Sequence, residues 1–288
     1  VSLLLASIGF GLVTAAVLAI AAVGFTMQFA VTDVLNLAYS GVMIVSAYAT
    51  YWVNNSGVNI WIALLVGMAA GAILSVLLNR FIYTPFQRRK TSGITLVIVT
   101  LGVTLILVFG LQAIVGGTNV SYTMAQGASL NLAGAQLSVV QLVIIGLAIV
   151  VMGAIHALLR YTRLGKAMRA TAANRPLARN SGIRTERVVT ATWAITGALC
   201  GLAGTVFAID AGSFGATSTQ LFLVLILAAV FVGGPGQPYG AMLGAAIIGL
   251  GTEVSAAYVA PDYKDVIAFI LLFVMLAWRP SGLLGART

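Results

Sequence analysis

Side chains that make and break bonds are scarce in this sequence. In 288 residues there is one cysteine, Cys200, one histidine, His156, and only six aspartates and glutamates together. A lone thiol cannot close an intrachain disulfide. One histidine and one thiol cannot assemble a His/Cys metal cluster or a histidine-based triad. A G-x-x-x-x-G-K-S/T phosphate loop is missing too, since Gly165-Lys166 is followed by Ala167 and lacks the upstream glycine. Charge is equally thin: 7% of residues are charged against 60% hydrophobic, with a mean hydropathy of +1.07. A soluble domain needs far more charge to stay dispersed. The chain is therefore expected to lie in lipid, to carry no catalytic machinery and no metal, and to hold no cofactor of its own.

What is present are long apolar runs. Backbone polar groups in a bilayer must be satisfied internally, which leaves helices or a closed barrel. Barrel strands alternate over about ten residues, whereas the runs here are continuous and about twenty long. The fold class expected is all-α, a polytopic integral membrane helix bundle. Runs at 3–25, 36–53, 58–80, 93–116, 138–160, 188–209, 219–233, 240–257 and 266–278 give about nine spans. Those at 219–233 and 266–278 are short for a hydrocarbon core of roughly 30 Å, so the count ranges from eight to ten. The apolar opening exceeds a signal-peptide core, has no small-residue cleavage site after it, and is expected to be the first span.

The net charge of +9 is not a nucleic-acid footprint, because its distribution follows the loops. Four of the fifteen Lys and Arg lie at 80–90, eight between Arg160 and Arg187, and two at Arg279 and Arg287; only Lys264 stands apart, flanked by Asp262 and Asp265. Basic loops stay cytoplasmic. One topology, N-out and C-in, puts all three basic segments inside. The expected organisation is a single transmembrane domain over 1–288 with a cytoplasmic loop at about 161–187. The outer segment 117–137 is expected as a loop or surface helix able to meet an extracytoplasmic partner.

Small residues recur at helix-packing spacing in Gly67/Gly71, Gly197/Gly201 and Gly240/Gly244. Cys200 reads as a small packing residue, and His156 as a hydrogen-bonding residue at the inner end of the fifth span. Within the basic loop, Arg163 to Ala173 is Ala-rich and favours helix. Asn174 suits an N-cap with Pro176 in the following first turn, and Gly182 a C-cap with Ile183 as its apolar contact. Two short helices are expected, serving either as a solvated basic loop or as a docking element.

Polar residues within spans mark cavities, bundle interiors or caps. Asp33, Asn36, Tyr39 and Ser40 open the second span, with Gly41 following. Asp33 reads equally as an inner-side N-cap or a pathway residue; Asn36, Tyr39 and Ser40 read as pathway-lining. Gly233 to Gly240 packs four glycines and two prolines into a tight turn, either a connector or a second docking surface. Glu253, inside the eighth span, reads equally as pathway-lining or as an interhelix hydrogen-bonding group.

Three stretches together resemble the permease subunits of branched-chain amino acid (Liv-type) ABC importers. They are L-N-L-A-Y-S-G with S-A-Y-A-T-Y, then L-G-K-A-M-R-A-T-A-A-N with S-G-I, then V-G-G-P-G-Q-P-Y-G-A-M-L-G with W-R-P-S-G-L-L-G. The resemblance covers residues 32–285; Ser40 and Ser46 depart from it, the family commonly having Gly at the latter. It implies a multi-pass permease of a bacterial inner membrane, importing small polar solutes such as branched-chain amino acids. It implies four kinds of neighbour: a second permease, identical or homologous; two cytoplasmic ATPases, which bind the ATP and Mg²⁺; an extracytoplasmic solute-binding protein; and lipid. Arg169, Ala172, Ala173, Asn174, Ala178, Gly182 and Ile183 are implied as the ATPase-coupling loop. The rival expectation is an ion-coupled secondary transporter or channel using Glu253 and Asp33. A membrane scaffold would leave the polar span entry and the basic loop unexplained.

Overall fold

The computed structural model describes residues 2–89, 91–124, 129–132, 135–258, 263–279 and 281–285. Among them run twelve helices: α1 Ser2–Thr32, α2 Tyr39–Asn55, α3 Ile60–Leu78, α4 Thr84–Arg88, α5 Gly93–Val115, α6 Val139–Tyr161, α7 Arg163–Ala173, α8 Arg175–Asn180, α9 Thr185–Ala211, α10 Thr219–Gly233, α11 Pro238–Tyr258 and α12 Lys264–Trp278. One antiparallel hairpin, β1 Ser129–Leu132 with β2 Ala135–Ser138, pairs Ser129 with Ser138 and Leu132 with Ala135.

Each of the nine apolar runs falls on a helix. Six helical stretches are long and apolar enough to cross a membrane, beginning at Leu4, Ile60, Gly93, Val139, Thr185 and Pro238. The shorter helices α2, with 17 residues, and α10 and α12, with 15 each, account for the other three runs. At 1.5 Å per residue, fifteen residues reach only about 22 Å.

The helix begun at Ile60 does not end near Arg80. It runs on to Arg88 through a π-helical turn, Asn79–Tyr83, in which the Thr84 N–H donates to the Asn79 carbonyl. Pro85 explains the turn. It has no N–H to offer the Phe81 carbonyl and its ring crowds that carbonyl, and a widened turn upstream relieves the clash.

The chain packs as two compact units. One comprises Met27–Thr123 and Met152–Gln220, and its centre is α2, α3 and α9. The most apolar window of α9 is 78% buried, against 33% for that of the α3–α4 run, so α9 is the inner helix and α3 turns one side to lipid. Their contact is backbone against backbone: a Cβ at Gly71 would overlap the Gly197 carbonyl oxygen, and one at Gly201 the Gly67 carbonyl oxygen. Between membrane helices dispersion replaces the hydrophobic drive, and small residues permit that approach. The Thr50 and Thr205 hydroxyls, 2.9 Å apart, tie α2 to α9 beside it.

The other unit comprises Val1–Thr26, Met124–Val151 and Leu221–Thr288. A Cβ at Gly249 would overlap Ala15, so α1 and α11 also meet closely, and α10 meets α11 at Gly233/Gly240 and Ala229/Gly244. The segment after α12 closes the end of α10. Leu283 and Leu284 donate their N–H groups to the Val232 and Gly233 carbonyls at 2.9 and 3.0 Å, satisfying acceptors that the helix leaves open.

Candidate functional site

The polar entry to the second span is a break between helices. Residues 33–38 are non-helical, and α2 starts only at Tyr39 with no side-chain cap. This corrects the N-cap reading of Asp33. Asp33 terminates α1 instead: its φ is +54°, its N–H donates to the Phe29 carbonyl at 2.8 Å, and its side chain is exposed. Aspartate tolerates the left-handed conformation better than most residues, which is why it can end a helix there.

Asn36 in the break and Tyr39 and Ser40 in the first turn of α2 are all buried. Asn36 Oδ1 accepts from the Tyr83 hydroxyl at 3.1 Å. The Cys200 thiol donates to the Tyr39 carbonyl at 3.2 Å, and the Thr219 hydroxyl to the Ser40 carbonyl at 2.9 Å. Thr100 and Gln87 reach the Leu35 and Thr32 carbonyls. Side chains from four other segments thus bind backbone carbonyls on both sides of the break, those of Thr32 and Leu35 before α2 and those of Tyr39 and Ser40 in its first turn. Such interrupted backbone inside a membrane protein is tolerated only where protein buries it or a cavity meets it.

Tyr83 was not visible as a site residue in the sequence, nor was Trp193. Their rings stack 5.0 Å apart, and the buried Trp193 Nε1 finds no hydrogen-bond partner among the described residues. The signal was indirect: Pro85 sets the π turn, and the turn swings Tyr83 inward. Where α2 and α9 end, Tyr48, Tyr122 and Phe214 cluster, and Asn54 binds the backbone of Thr123. His156 lies edge-on to Tyr161, centroids 6.1 Å apart.

Glu253 belongs to the other unit. Its Oε1 takes Lys264 Nζ at 2.6 Å and the Thr14 hydroxyl at 2.9 Å, an interhelix tie among α1, α11 and α12. Of the two readings of Glu253, the interhelix tie is the contact present, and its cation stands eleven residues on. Lys264→Met should lower the melting midpoint by the equivalent of about 1–2 kcal/mol, because Glu253 is only 14% exposed and would be left unpaired while Lys264 is 41% exposed. Thermal melting in detergent checks this, and the double variant with Glu253→Gln should recover most of the loss.

The basic loop forms the two helices expected of it. The Thr162 hydroxyl accepts from the Gly165 N–H and caps α7; Asn174 Oδ1 accepts from the Leu177 N–H at 2.9 Å and caps α8. The end of α8 is a Schellman turn, with Gly182 N–H on the Arg179 carbonyl (3.1 Å) and Ile183 N–H on the Ala178 carbonyl (3.0 Å). Gly165 sits so close to α6 that a Cβ there would overlap the Leu158 carbonyl oxygen. Arg169 donates to the Leu159 carbonyl at 2.7 Å, holding α7 to the end of α6. Of the coupling set, Ala172, Ala173, Asn174 and Gly182 are exposed, Ile183 is half-buried, Ala178 is buried, and Leu177 adds an exposed apolar side chain.

Apolar helices of spanning length, joined through a buried polar break and a capped basic hairpin, define a multi-pass membrane protein of the transporter class. The sequence model of the branched-chain amino acid transport system permease component matches residues 7–276. The chain belongs to that family and is the permease subunit of an ABC importer, not an enzyme. It is similar to the high-affinity branched-chain amino acid transport system permease protein LivH of Salmonella typhimurium, 27% identical over 93% of this chain and 91% of that protein. It is 31% identical to the probable branched-chain amino acid transport permease protein LivH of Methanocaldococcus jannaschii, over 93% and 88%. The LivM permease protein of Escherichia coli K12 matches at 28%, over 91% of this chain and 66% of that one. Among solved structures, PsaBC from Streptococcus pneumoniae in complex with Fab shares the fold, with a TM-score of 0.52, 13% identity, and coverage of 93% and 90%.

Proposed function

We propose that this chain forms half of the translocation pathway of an importer for branched-chain amino acids in a bacterial inner membrane. The other half is a second permease, identical or homologous. Two cytoplasmic ATPases supply the energy, binding ATP and Mg²⁺, and an extracytoplasmic receptor delivers the solute. The chain crosses the bilayer nine times as one permease domain, N-terminus out and C-terminus in, which puts Arg80–Arg89, the α7–α8 hairpin and Arg279 on the cytoplasmic side.

The observation that carries the coupling role is the α7–α8 hairpin. Its two side-chain caps and its Schellman turn make it a rigid projection, and its exposed tip of Ala172, Ala173 and Leu177 is small and apolar enough to enter a groove. Arg169 ties the hairpin to α6, so movement of an ATPase subunit is transmitted to a membrane helix. The solute passes the break at Asn36, Tyr39 and Ser40, where backbone and amide groups can replace its hydration. Glu253 acts as a structural tie on the margin of this scheme. Its pairing with Lys264, and the exposed helix-ending position of Asp33, speak against the ion-coupled carrier.

The test is uptake of labelled leucine into proteoliposomes. Uptake is expected only when both permeases, the ATPases, the receptor and ATP are present. Accumulation by this chain alone, without an ATPase, would overturn the proposal.

A further inference from the structure

The cleft at the basic end of α3–α4 and α9 has a volume of about 890 Å³. Its origin is mechanical. The two helices touch through glycines at Gly71 and Gly197, then must separate to admit the stacked rings of Tyr83 and Trp193. The space beside that stack is walled by the π turn and α4 on one side, and by the first turns of α9 with α8 on the other.

Its charge is one-sided. Arg80, Arg88, Arg89 and Arg175 line it against Glu186 alone. The Arg88–Glu186 approach is 3.8 Å between side chains 74% and 79% exposed, a pair that neutralises little. Arg80, Arg89 and Arg175 make no ion pair among the described residues. Guanidinium groups converging in this way match a phosphate, which they hold by paired hydrogen bonds.

The surroundings choose among phosphates. Leu77 and Phe81 stand exposed on the same helix, Phe81 directly after Arg80. In a chain that spans a bilayer, such a junction of bare apolar side chains and arginines lies where headgroups meet hydrocarbon. An acidic protein segment or a free anion would answer the arginines and leave Leu77 and Phe81 bare, whereas a lipid supplies both a phosphate and acyl chains. We propose that this cleft binds the headgroup of an anionic phospholipid, with its acyl chains along Leu77 and Phe81. Basic pockets between membrane helices hold lipid headgroups by this combination of charge and depth. The inference requires membrane embedding and not the import scheme. A lipid so seated bridges the α3–α4 run to α8 and α9.

The full chain, purified in a nonionic detergent, is titrated with phosphatidylglycerol or phosphatidylcholine of identical acyl chains, and retained lipid is read by native mass spectrometry. Phosphatidylglycerol should be retained about tenfold better. Arg80→Gln with Arg175→Gln should reduce the preference to below about threefold, and the corresponding lysine pair should restore most of it. Arg89→Gln alone, away from the helix contacts, should lower it by about threefold and tests the charge without the fold. Equal retention of the two lipids, or an unchanged preference in the glutamine variants, would overturn the proposal. So would displacement of phosphatidylglycerol on assembly with the ATPases, which would make the occupant a protein.

Discussion

Gly182→Pro is expected to abolish ATP-driven uptake while the chain still inserts and purifies as the wild type does. Gly182 has a φ of +83°, and proline fixes φ near −65°. Proline also removes the N–H that donates to the Arg179 carbonyl, and the displaced backbone costs the neighbouring bond from Ile183 to Ala178. Together these changes are worth about 3 kcal/mol, concentrated in one turn of the hairpin. A Cβ at this position would meet nothing within 4 Å, so the effect is conformational and not a clash. Gly182→Ala, which keeps the N–H and strains only φ by about 1 kcal/mol, should give a partial loss. Proteoliposome uptake with an ATPase assay separates coupling from folding: ATP hydrolysis should continue without solute accumulation, reduced by more than about tenfold. Unchanged uptake by the proline variant would remove the docking role from the hairpin.

The second large effect is expected at the crossing of α3 and α9. Even a methyl group at Gly71 overlaps the Gly197 carbonyl oxygen, and one at Gly197 overlaps the Gly71 carbonyl and the Ser75 side chain. The obstacles are mainly backbone, which cannot swing aside as a flexible side chain would. Gly71→Ala and Gly197→Ala should each destabilise by about 1–3 kcal/mol, and together they should couple, since they touch. The control is Gly102→Ala on α5, where nothing lies within 4 Å and helix propensity alone acts, favourably by about 1 kcal/mol. Melting midpoints in detergent should fall for the first pair and hold or rise for the control. Equal midpoints for Gly71→Ala and Gly102→Ala would show that the crossing is looser than its geometry.

What the sequence made legible were features of short range. Apolar length located every long helix, and the α7–α8 hairpin could be read to the residue because Asn174, Pro176 and Gly182 are local signals with local geometry. The glycine pairs identified which helices come close, though not that Gly67/Gly71 meets Gly197/Gly201. Features that depend on a remote partner stayed hidden. Asp33 carries the side chain of an N-cap, but the preceding α1 runs on to Thr32 and takes it as a terminator. The extension from Arg80 to Arg88 defies hydropathy, since polar residues there stay helical against α9 and around Pro85. At the break before α2, Asn36 announced itself as a polar residue in an apolar run, while Tyr83, its hydrogen-bond donor 47 residues away, carried no local signal of that contact.

The meeting of Ala15 with Gly249, and of Thr14 with Glu253, bears on how the chain is made. Helix α1 is completed on the ribosome long before α11 exists, and 239 residues separate the hydroxyl from the carboxylate it binds. Through most of synthesis α1 must therefore stand without α11 against its small-residue face. The Val232 and Gly233 carbonyls wait a shorter stretch, 51 residues, for Leu283 and Leu284. The unit that joins α1 to α10, α11 and α12 is thus the last to close, and a chain stalled before residue 283 leaves the Val232 and Gly233 carbonyls without these donors.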